Sequence, residues 1–288
     1  MTSMLNQLHR SMAINRQLSE VLPEALGDHL GESWEIFLEA ARDARFPISR
    51  RPDFTTSLLR VWASSEFVTQ ACIRDPSLLS DLLESGDLLT DYLANEHRHK
   101  LDRCLSGVKD EVSLGRVLRE YRLREMIRIA WRDLAGWAPL GEVLNDLTCL
   151  ADASINGALG LLGGWALKQP GVPRKITPAL IVLGMGKLGA HVLNFSSDID
   201  LIFAYPQDQP GWKRARHSAE EFYSQLGQQL IHALDNRTEH GFVFRVDMRL
   251  RPYGDSGPLV ANFDALADYY QSQGREWERY AMIKARPV

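Results

Sequence analysis

The sequence has few cysteines, no long apolar run and no basic excess, and each shortage excludes a class of function. Its 288 residues include three cysteines, which form no C-x-x-C pair. This number and spacing favour thiols in a reducing compartment over a disulfide framework or a zinc site. No apolar stretch approaches the roughly 20 residues that a membrane-spanning helix requires, and the N-terminus lacks the apolar segment of a signal peptide. We therefore expect a soluble, cytoplasmic protein without a membrane partner.

The balance of charge gives no support to nucleic-acid binding. The chain carries 33 Lys and Arg against 37 Asp and Glu, a formal net charge of −4 at pH 7. Proteins that hold a nucleic acid through its phosphates usually carry a basic excess, and single-strand binders add interleaved aromatic residues. Neither feature is present, so we expect no nucleic-acid partner. The hydrophobic fraction of 45% suffices for one large domain or two ordinary ones.

Hydrophobic periodicity divides the chain into a helical part and a mixed part. Up to about residue 170, apolar residues recur three and four positions apart, most clearly in LGRVLREYRLREMIRIAWRDLAGW. The stretch KQPGVPRKITP follows, and its Pro, Gly and Lys content is typical of a linker. We predict a helical N-terminal region at 1–172 and a second domain at 173–288.

Two groups of polar residues in the helical part have simple interpretations. Arg124, Arg128 and Arg132 recur every four residues, which favours a solvated helix face over a docking strip for an acidic partner. His97 and His99, in EHRHK, lack ligand partners at helical spacing and are predicted to lie on a solvated surface.

After the linker, short strands alternate with helices. ALIVLGM and DIDLIFAY are apolar runs suited to buried strands, and a helix is predicted around 217–235. GFVFRVDMRLRP then alternates strictly between apolar and polar residues, which predicts a further strand. Strands and helices after an all-helical region predict an α+β fold with a small mixed sheet flanked by helices.

The segment GMGKLG, at 184–189, fits the G-x-G-x-x-G pattern, but its surroundings do not fit a dinucleotide site. Only eight residues separate Gly189 from Asp198, where the next strand begins. A crossover between parallel strands needs a dozen or more residues, and the acidic residue of a dinucleotide site comes about 20 positions later. Lys187 also lacks the glycine spacing of a Walker P-loop. The spacing argues against both phosphate-binding motifs.

Three aspartates on two predicted strands form the clearest functional pattern. Asp198 and Asp200 are two positions apart, so their side chains point to one face of a strand. A divalent cation would relieve their mutual repulsion, although this pair alone is also compatible with two solvent-facing acids on an edge strand. The polar face of the later strand adds one more acid and three arginines: Asp247, Arg245, Arg249 and Arg251.

Three carboxylates, a glycine-lysine loop and a pair of serines suit nucleotidyl transfer. Two metal ions held by the acids would activate the attacking oxygen and stabilise the leaving oxygen in an in-line displacement at phosphorus. The loop backbone and the guanidinium groups would neutralise the remaining phosphate charge. The pattern therefore predicts a metal-dependent transfer reaction.

These motifs resemble a known family. A glycine motif, D-x-D on a strand and a third acid on a later strand are typical of the DNA polymerase beta type of nucleotidyltransferase. GMGKLGAHVLNFSSDIDLIF, RVDMRLRPYGDSGPLV and GREWERYAMIKAR are similar to the family of the bifunctional glutamine synthetase adenylyltransferase/adenylyl-removing enzyme. The similarity is strong from about residue 110 onwards and faint before it.

The resemblance implies a polymerase beta-like domain and assigns roles to ten residues. Asp198, Asp200 and Asp247 would be catalytic and would bind two Mg²⁺ or Mn²⁺ ions. The implied partners are glutamine synthetase as the protein substrate, phosphate, ADP or ATP, and the PII signalling protein. The nucleotide and phosphate site would be lined by Gly184, Gly186, Lys187, Ser196, Ser197, Arg249 and Arg251.

Members of this family carry two opposing activities that control nitrogen assimilation. The N-terminal half removes AMP from a tyrosine of glutamine synthetase by phosphorolysis, giving ADP, and the C-terminal half adds AMP from ATP. The long preceding helical segment, the ending ERYAMIKAR and Arg245 before VDMRLRP resemble the removing half, because the adding half tends to have glutamate in place of Arg245. The alternatives are AMP addition, nucleotidyl transfer to another substrate, and a non-catalytic module that binds a nucleotide or a partner.

Two departures from the family pattern affect these expectations. Val192 stands where the family usually has an acidic residue, for which we expect an indirect effect on the site at most. The sequence stops at KARPV, where the family continues with further helices and the adding half. We therefore expect a fragment, in which the helices that close the site and bind the partner are incomplete.

Overall fold

A computed structural model describes residues 24–43, 52–173, 179–207, 212 and 218–288. Their contacts form two compact units, one made of the described residues up to Asp91 and Arg124–Val143, the other of those in Tyr92–Leu123 and Leu144–Val288. The predicted linker falls partly on 174–178, outside the described residues, and the boundary at 172/173 stays a prediction. No helix in the described ranges is long and apolar enough to cross a membrane.

The part before residue 170 is helical, as the periodicity predicts. Asp75 ends one helix and begins the next, because its side chain accepts a hydrogen bond from the Ser77 amide (3.0 Å) and Pro76 occupies the first turn. The helices are α1 (Glu24–Asp43), α2 (Pro52–Ser64), α3 (Glu66–Arg74), α4 (Pro76–Glu84), α5 (Glu96–Leu105), α6 (Glu111–Leu134) and α7 (Leu140–Ala166), with a 3₁₀ turn at Asp87–Leu89.

The arginine row of α6 is not a solvated face, and that prediction was wrong. Arg128 is fully buried, and its guanidinium donates to the carbonyl oxygens of Asp87 (3.0 Å) and Thr90 (2.6 Å). Arg132 is 4% exposed and donates to the Glu142 carboxylate at 2.8 Å. Each guanidinium carries five donors in a planar fork, so Arg128 can satisfy two backbone carbonyls at once, and Arg132 also donates to the Leu88 carbonyl at 3.3 Å.

His97 is also buried, contrary to the prediction, whereas His99 is exposed as predicted. The His97 side chain is 3% exposed; its Nδ1 lies 3.3 Å from the Tyr121 hydroxyl and its Nε2 lies 3.6 Å from Asp146. Periodicity cannot show that a polar residue faces polar partners inside the fold, which is the reason for this difference.

A mixed sheet of five strands confirms the α+β prediction. β1 is antiparallel to β2 and to β5, and β2 is parallel to β3 and β4, in the order β3-β2-β1-β5 with β4 also pairing β2. The strands are β1 (Ile181–Gly184), β2 (Ile199–Tyr205), β3 (Val246–Asp247), β4 (Val260–Asn262) and β5 (Arg286–Pro287). The later helices are α8 (Gly186–Gly189), α9 (Ala219–Asp235), α10 (Phe263–Ser272) and α11 (Glu276–Ala281), with 3₁₀ turns at Gly254–Ser256 and Met282–Lys284.

β2 is the central strand of the sheet and is almost entirely buried. Every residue of this strand except Asp200 is buried, because neighbours on both sides and helix α9 cover it. α9 presents Phe222, Leu226 and Leu230 from one buried face, and its N-terminus is capped by reciprocal hydrogen bonds of Ser218 and Glu221. The half-buried Asp200 is therefore a polar exception within an apolar strand.

The segment GFVFRVDMRLRP forms a much shorter strand than its alternation predicts. Only Val246 and Asp247 pair with β2, and a turn begins at Arg249. The cause is local: the Asp247 carboxylate accepts a hydrogen bond from the backbone amide of Arg249 at 2.8 Å, which closes a turn. The prediction of a long strand here was wrong.

Candidate active site

Parallel pairing of β2 and β3 places two of the predicted acids side by side. Asp200 is the register partner of Asp247, and Ile199 is the partner of Val246. The backbone amide of Ile199 donates to the carbonyl of Arg245 at 2.9 Å, which is one of the ladder hydrogen bonds of this parallel pair. Because adjacent strands lie about 4.8 Å apart, the two-residue strand β3 brings a second carboxylate next to Asp200.

Asp198 lies directly before β2 and completes the group of three acids. It is exposed and forms an ion pair with the Arg245 guanidinium, whose Nη2 also donates to the carbonyl of Ser196 at 2.6 Å. Burial raises the pKa of Asp200, and the negative charges of Asp247 and Asp198 raise it further. The negative charges of Asp198 and Asp247 therefore both act on the Asp200 carboxylate.

Asp247 has a different electrostatic environment. Its carboxylate accepts hydrogen bonds from Arg249, with Nε at 2.9 Å from Oδ2, and these bonds lower the pKa of Asp247. The Arg249 side chain is 74% exposed. An exposed guanidinium gains little from such a pair because water screens it, so little free energy is needed to separate Arg249 from Asp247.

The acid group has the donor chemistry of a magnesium or manganese site. Carboxylate oxygens are the ligands that these hard cations prefer. The pKa of Asp200 is raised partly by the negative charges of Asp247 and Asp198, and a bound cation would compensate those charges. Arginines currently neutralise Asp198 and Asp247. In this arrangement, no three His, Cys, Asp or Glu side chains among the described residues form a ready-made metal site.

The glycine turn lies against Asp200. Gly186 has a φ of +52°, and a Cβ at this position would lie 2.5 Å from Asp200 Oδ2. The Met185 amide donates to the Asp200 carbonyl at 2.9 Å. Gly184 lies further away, within β1, where a Cβ would meet Val288. Of the two predicted loop glycines, Gly186 is the one that allows the loop to approach the acids.

Lys187 and the two serines lie on the loop that leads to Asp198. Lys187 Nζ donates to Ser197 Oγ at 3.2 Å, and Ser197 Oγ donates to Asn194 Oδ1 at 2.6 Å. The positive charge of Lys187 partly offsets the raised pKa of Asp200. Ser196 contributes its carbonyl oxygen to Arg245, as described above. The sequence pattern did not single out Asn194, which positions Ser197.

Arg251 supports a turn. Its Nη1 donates to the Met248 carbonyl at 2.9 Å and lies 3.4 Å from Asp255, and most of its side chain is buried. Its charge helps to lower the pKa of Asp247, but it does not line the cavity beside the acids. The structure therefore brings eight of the ten predicted residues to the acid group or its glycine loop. Gly184 lies within β1, and Arg251 supports the turn that follows β3.

Two cavities meet at Arg249. One, of about 420 Å³, is lined mainly by Tyr253, Tyr269, Gln273, Arg275, Trp277 and Glu278. The other, of about 580 Å³, is lined by two of the three predicted acids, Asp198 and Asp247, and by Arg245. It is also lined by charged residues that sequence reasoning missed because they belong to no motif: Asp235, Arg237 and Asp255.

Comparison with known proteins identifies the family of the chain. Residues 55–288 match the family model described as glutamate-ammonia ligase adenylyltransferase. The chain belongs to this family. The match confirms the resemblance inferred from the motifs and extends it well before residue 110.

Two relatives from the glutamate-ammonia ligase adenylyltransferase family are about half identical to this chain over the aligned region. A protein of Nitrosococcus oceani is 50% identical over 93% of the chain, and one of Pseudomonas aeruginosa is 51% identical over 87% of it. Both are named bifunctional glutamine synthetase adenylyltransferase/adenylyl-removing enzyme. The aligned region covers 28% and 26% of these relatives, so the chain spans little more than a quarter of their length.

Proposed function

We propose that this chain carries the adenylyl-removing site of its family, which releases AMP from an adenylylated tyrosine of glutamine synthetase by phosphorolysis. The observation that carries the proposal is the ion pair of Arg245 with Asp198, beside the register pair Asp200 and Asp247. A guanidinium at the acid group suits an anionic attacking group, because it binds phosphate oxygens in a bidentate manner. Phosphate is the attacking group in AMP removal.

Asp198, Asp200 and Asp247 would hold Mg²⁺ or Mn²⁺ in the active protein. Bound ions would neutralise the phosphoryl oxygens and assist the departure of the tyrosine oxygen, which matters because a phenol with a pKa of about 10 is only a moderate leaving group. Two basic side chains of the chain would add further positive charge beside the phosphoryl oxygens. Arg249 can contact a phosphate group in place of Asp247, and Lys187 lies in the same region.

The reaction would exchange one phosphorus–oxygen bond for another. An oxygen of hydrogen phosphate forms a bond to the adenylyl phosphorus while the bond from that phosphorus to the tyrosine oxygen breaks. The proton of hydrogen phosphate ends on the released tyrosine, and the products are ADP and unmodified glutamine synthetase. The PII signalling protein and a cytoplasmic location are part of the same proposal, and membership of the family supports them.

The decisive experiment uses glutamine synthetase that carries labelled AMP on its tyrosine. The chain is added with Mg²⁺ or Mn²⁺ and phosphate, and the released nucleotide is identified. We expect phosphate-dependent ADP from the unmodified chain and from Asp102→Asn, which changes an exposed helix acid, and none from Asp200→Asn. Pyrophosphate release from ATP with unmodified glutamine synthetase would instead assign AMP addition.

A further inference from the structure

Three arginines from separate parts of the chain surround one phenylalanine ring. The guanidinium carbons of Arg122 and Arg237 each lie 5.2 Å from the centroid of the Phe242 ring, and that of Arg245 lies 5.9 Å from it. Arg122 is on α6, Arg237 follows α9 and Arg245 precedes β3. An aromatic ring attracts cations through its quadrupole but has no net charge. Phe242 therefore stabilises the three guanidinium groups near one another but leaves their positive charge uncompensated.

The positive charge of this arginine cluster, Arg122, Arg237 and Arg245, is only partly compensated. Arg245 pairs with Asp198, but Arg122 and Arg237 form no ion pair within 4.0 Å with any carboxylate of the described residues. The Arg122 Nε is buried and has no hydrogen-bond partner among these residues. Burial lowers the pKa of Arg122, and the charge of Arg245 lowers it further. Placing guanidinium groups this close together is electrostatically unfavourable, and a bound anion would reduce their mutual repulsion.

Two members of the arginine cluster border the candidate active site, and Arg122 lies beside them at the Phe242 ring. Arg237 and Arg245 line the cavity of about 580 Å³ that also holds Asp198 and Asp247. The other carboxylates of this cavity belong to Asp255, which lies near Arg251, and to Asp235, two residues before Arg237. An anion held at the cluster would therefore lie on the same side of the site as the acids.

We propose that Arg122, Arg237 and Arg245 bind the inorganic phosphate that attacks the adenylyl group. Guanidinium groups form charge-assisted, often bidentate hydrogen bonds to phosphate oxygens, and the cavity beside the acids offers the anion a path to the reacting phosphorus. The identity of phosphate as co-substrate rests on the proposed function, whereas the binding of phosphate to these arginines can be measured without it.

The binding test needs no protein substrate. Inorganic phosphate is titrated into the chain and followed by ³¹P NMR, with AMP and ATP in parallel titrations. We expect Arg237→Gln and Arg122→Gln to weaken phosphate binding by roughly tenfold or more, through loss of a charge-assisted contact. The matched control Arg116→Gln removes an exposed arginine from the same helix as Arg122 and should bind phosphate as the unmodified chain does.

Arg237 is exposed, so its replacement should preserve the fold even if Arg122→Gln does not, and circular dichroism checks both variants. Unchanged phosphate binding in Arg237→Gln would overturn the proposal. Equal weakening in Arg116→Gln would do so too, because it would reveal a bulk charge effect. A loss confined to AMP or ATP would assign the cluster to nucleotide phosphates instead.

A kinetic measurement separates this proposal from the proposed function. If the chain removes AMP, Arg237→Gln should raise the KM for phosphate several-fold and leave the KM for adenylylated glutamine synthetase unchanged. If the chain removes no AMP but binds phosphate through these arginines, the proposed function fails while the binding site stands. A raised KM for the protein substrate alone would contradict a phosphate site.

Discussion

Asp200 and Asp247 are register partners across the parallel pair of β2 and β3. The pairing has only two residues on the β3 side, so β3 contributes little to the sheet beyond the position of Asp247. On the other side, the Met185 amide binds the Asp200 carbonyl and Gly186 packs against its carboxylate. The glycine turn and β3 thus enclose Asp200 from two directions.

Replacing Asp200 by Asn should separate activity from stability. We expect AMP removal to become undetectable, a fall of roughly 100-fold or more, because the change removes a carboxylate of the proposed metal site. The free energy of unfolding should stay unchanged or rise, since burial and two like charges oppose the ionised form of Asp200. Chemical denaturation beside the AMP-release assay checks both results. Full activity in this variant, or a large loss of stability, would contradict the assigned role.

Replacing Gly186 by Ala should displace the Asp200 carboxylate. The added Cβ would meet Oδ2 at 2.5 Å, and the φ of +52° is unfavourable for an L side chain. We expect a loss of about 1–2 kcal/mol of unfolding free energy and a strong loss of AMP removal.

The control for Gly186→Ala is Gly160→Ala, in the interior of α7, where the added Cβ meets nothing within 4 Å. This change should stabilise the chain by about 0.5–1 kcal/mol, because alanine favours a helix over glycine. Thermal and chemical denaturation measure both variants. Equal stability changes of the same sign would show that the turn geometry at Gly186 is not restrictive.

Replacing Arg128 by Met should weaken the helical part of the chain. The change leaves the carbonyl oxygens of Asp87 and Thr90 without their buried donor, which we expect to cost about 2–4 kcal/mol. Arg98→Met removes an exposed arginine in an i,i+4 pair with Asp102 and should cost less than about 0.5 kcal/mol. Urea denaturation of both variants measures the difference. A solvated Arg128 would make the two values alike.

Replacing Thr148 by Val should affect the loop that precedes Asp198. The buried Thr148 hydroxyl accepts a hydrogen bond from the Leu193 amide at 3.3 Å, and valine leaves that buried donor without a partner. We expect a cost of about 1–3 kcal/mol. Ser154→Ala, on the same helix, removes a hydroxyl that donates only within the helix to Leu150 and should cost less. Hydrogen exchange of the Leu193 amide checks the cause: faster exchange is expected in Thr148→Val and not in Ser154→Ala.

The sequence by itself determined the main helices, two strands and the three candidate acids of this protein. Strong periodicity located α6 and α7, short apolar runs located β1 and β2, and the D-x-D spacing singled out Asp200 within β2 and Asp198 directly before it. Such signals are local, because a repeat of two or 3.6 residues follows from backbone geometry.

Only the tertiary structure decided which charged side chains contact one another. Arg122 reaches Phe242 and Arg245 across more than one hundred residues of sequence, and no spacing rule connects them. Periodicity likewise predicted that Arg128 is exposed, because a polar residue on a helix is assigned to the solvent face. The sequence pattern contains no information about the carbonyl oxygens that accept hydrogen bonds from Arg128. Burial of a charge depends on partners supplied by other segments, and those partners exist only once the chain has folded.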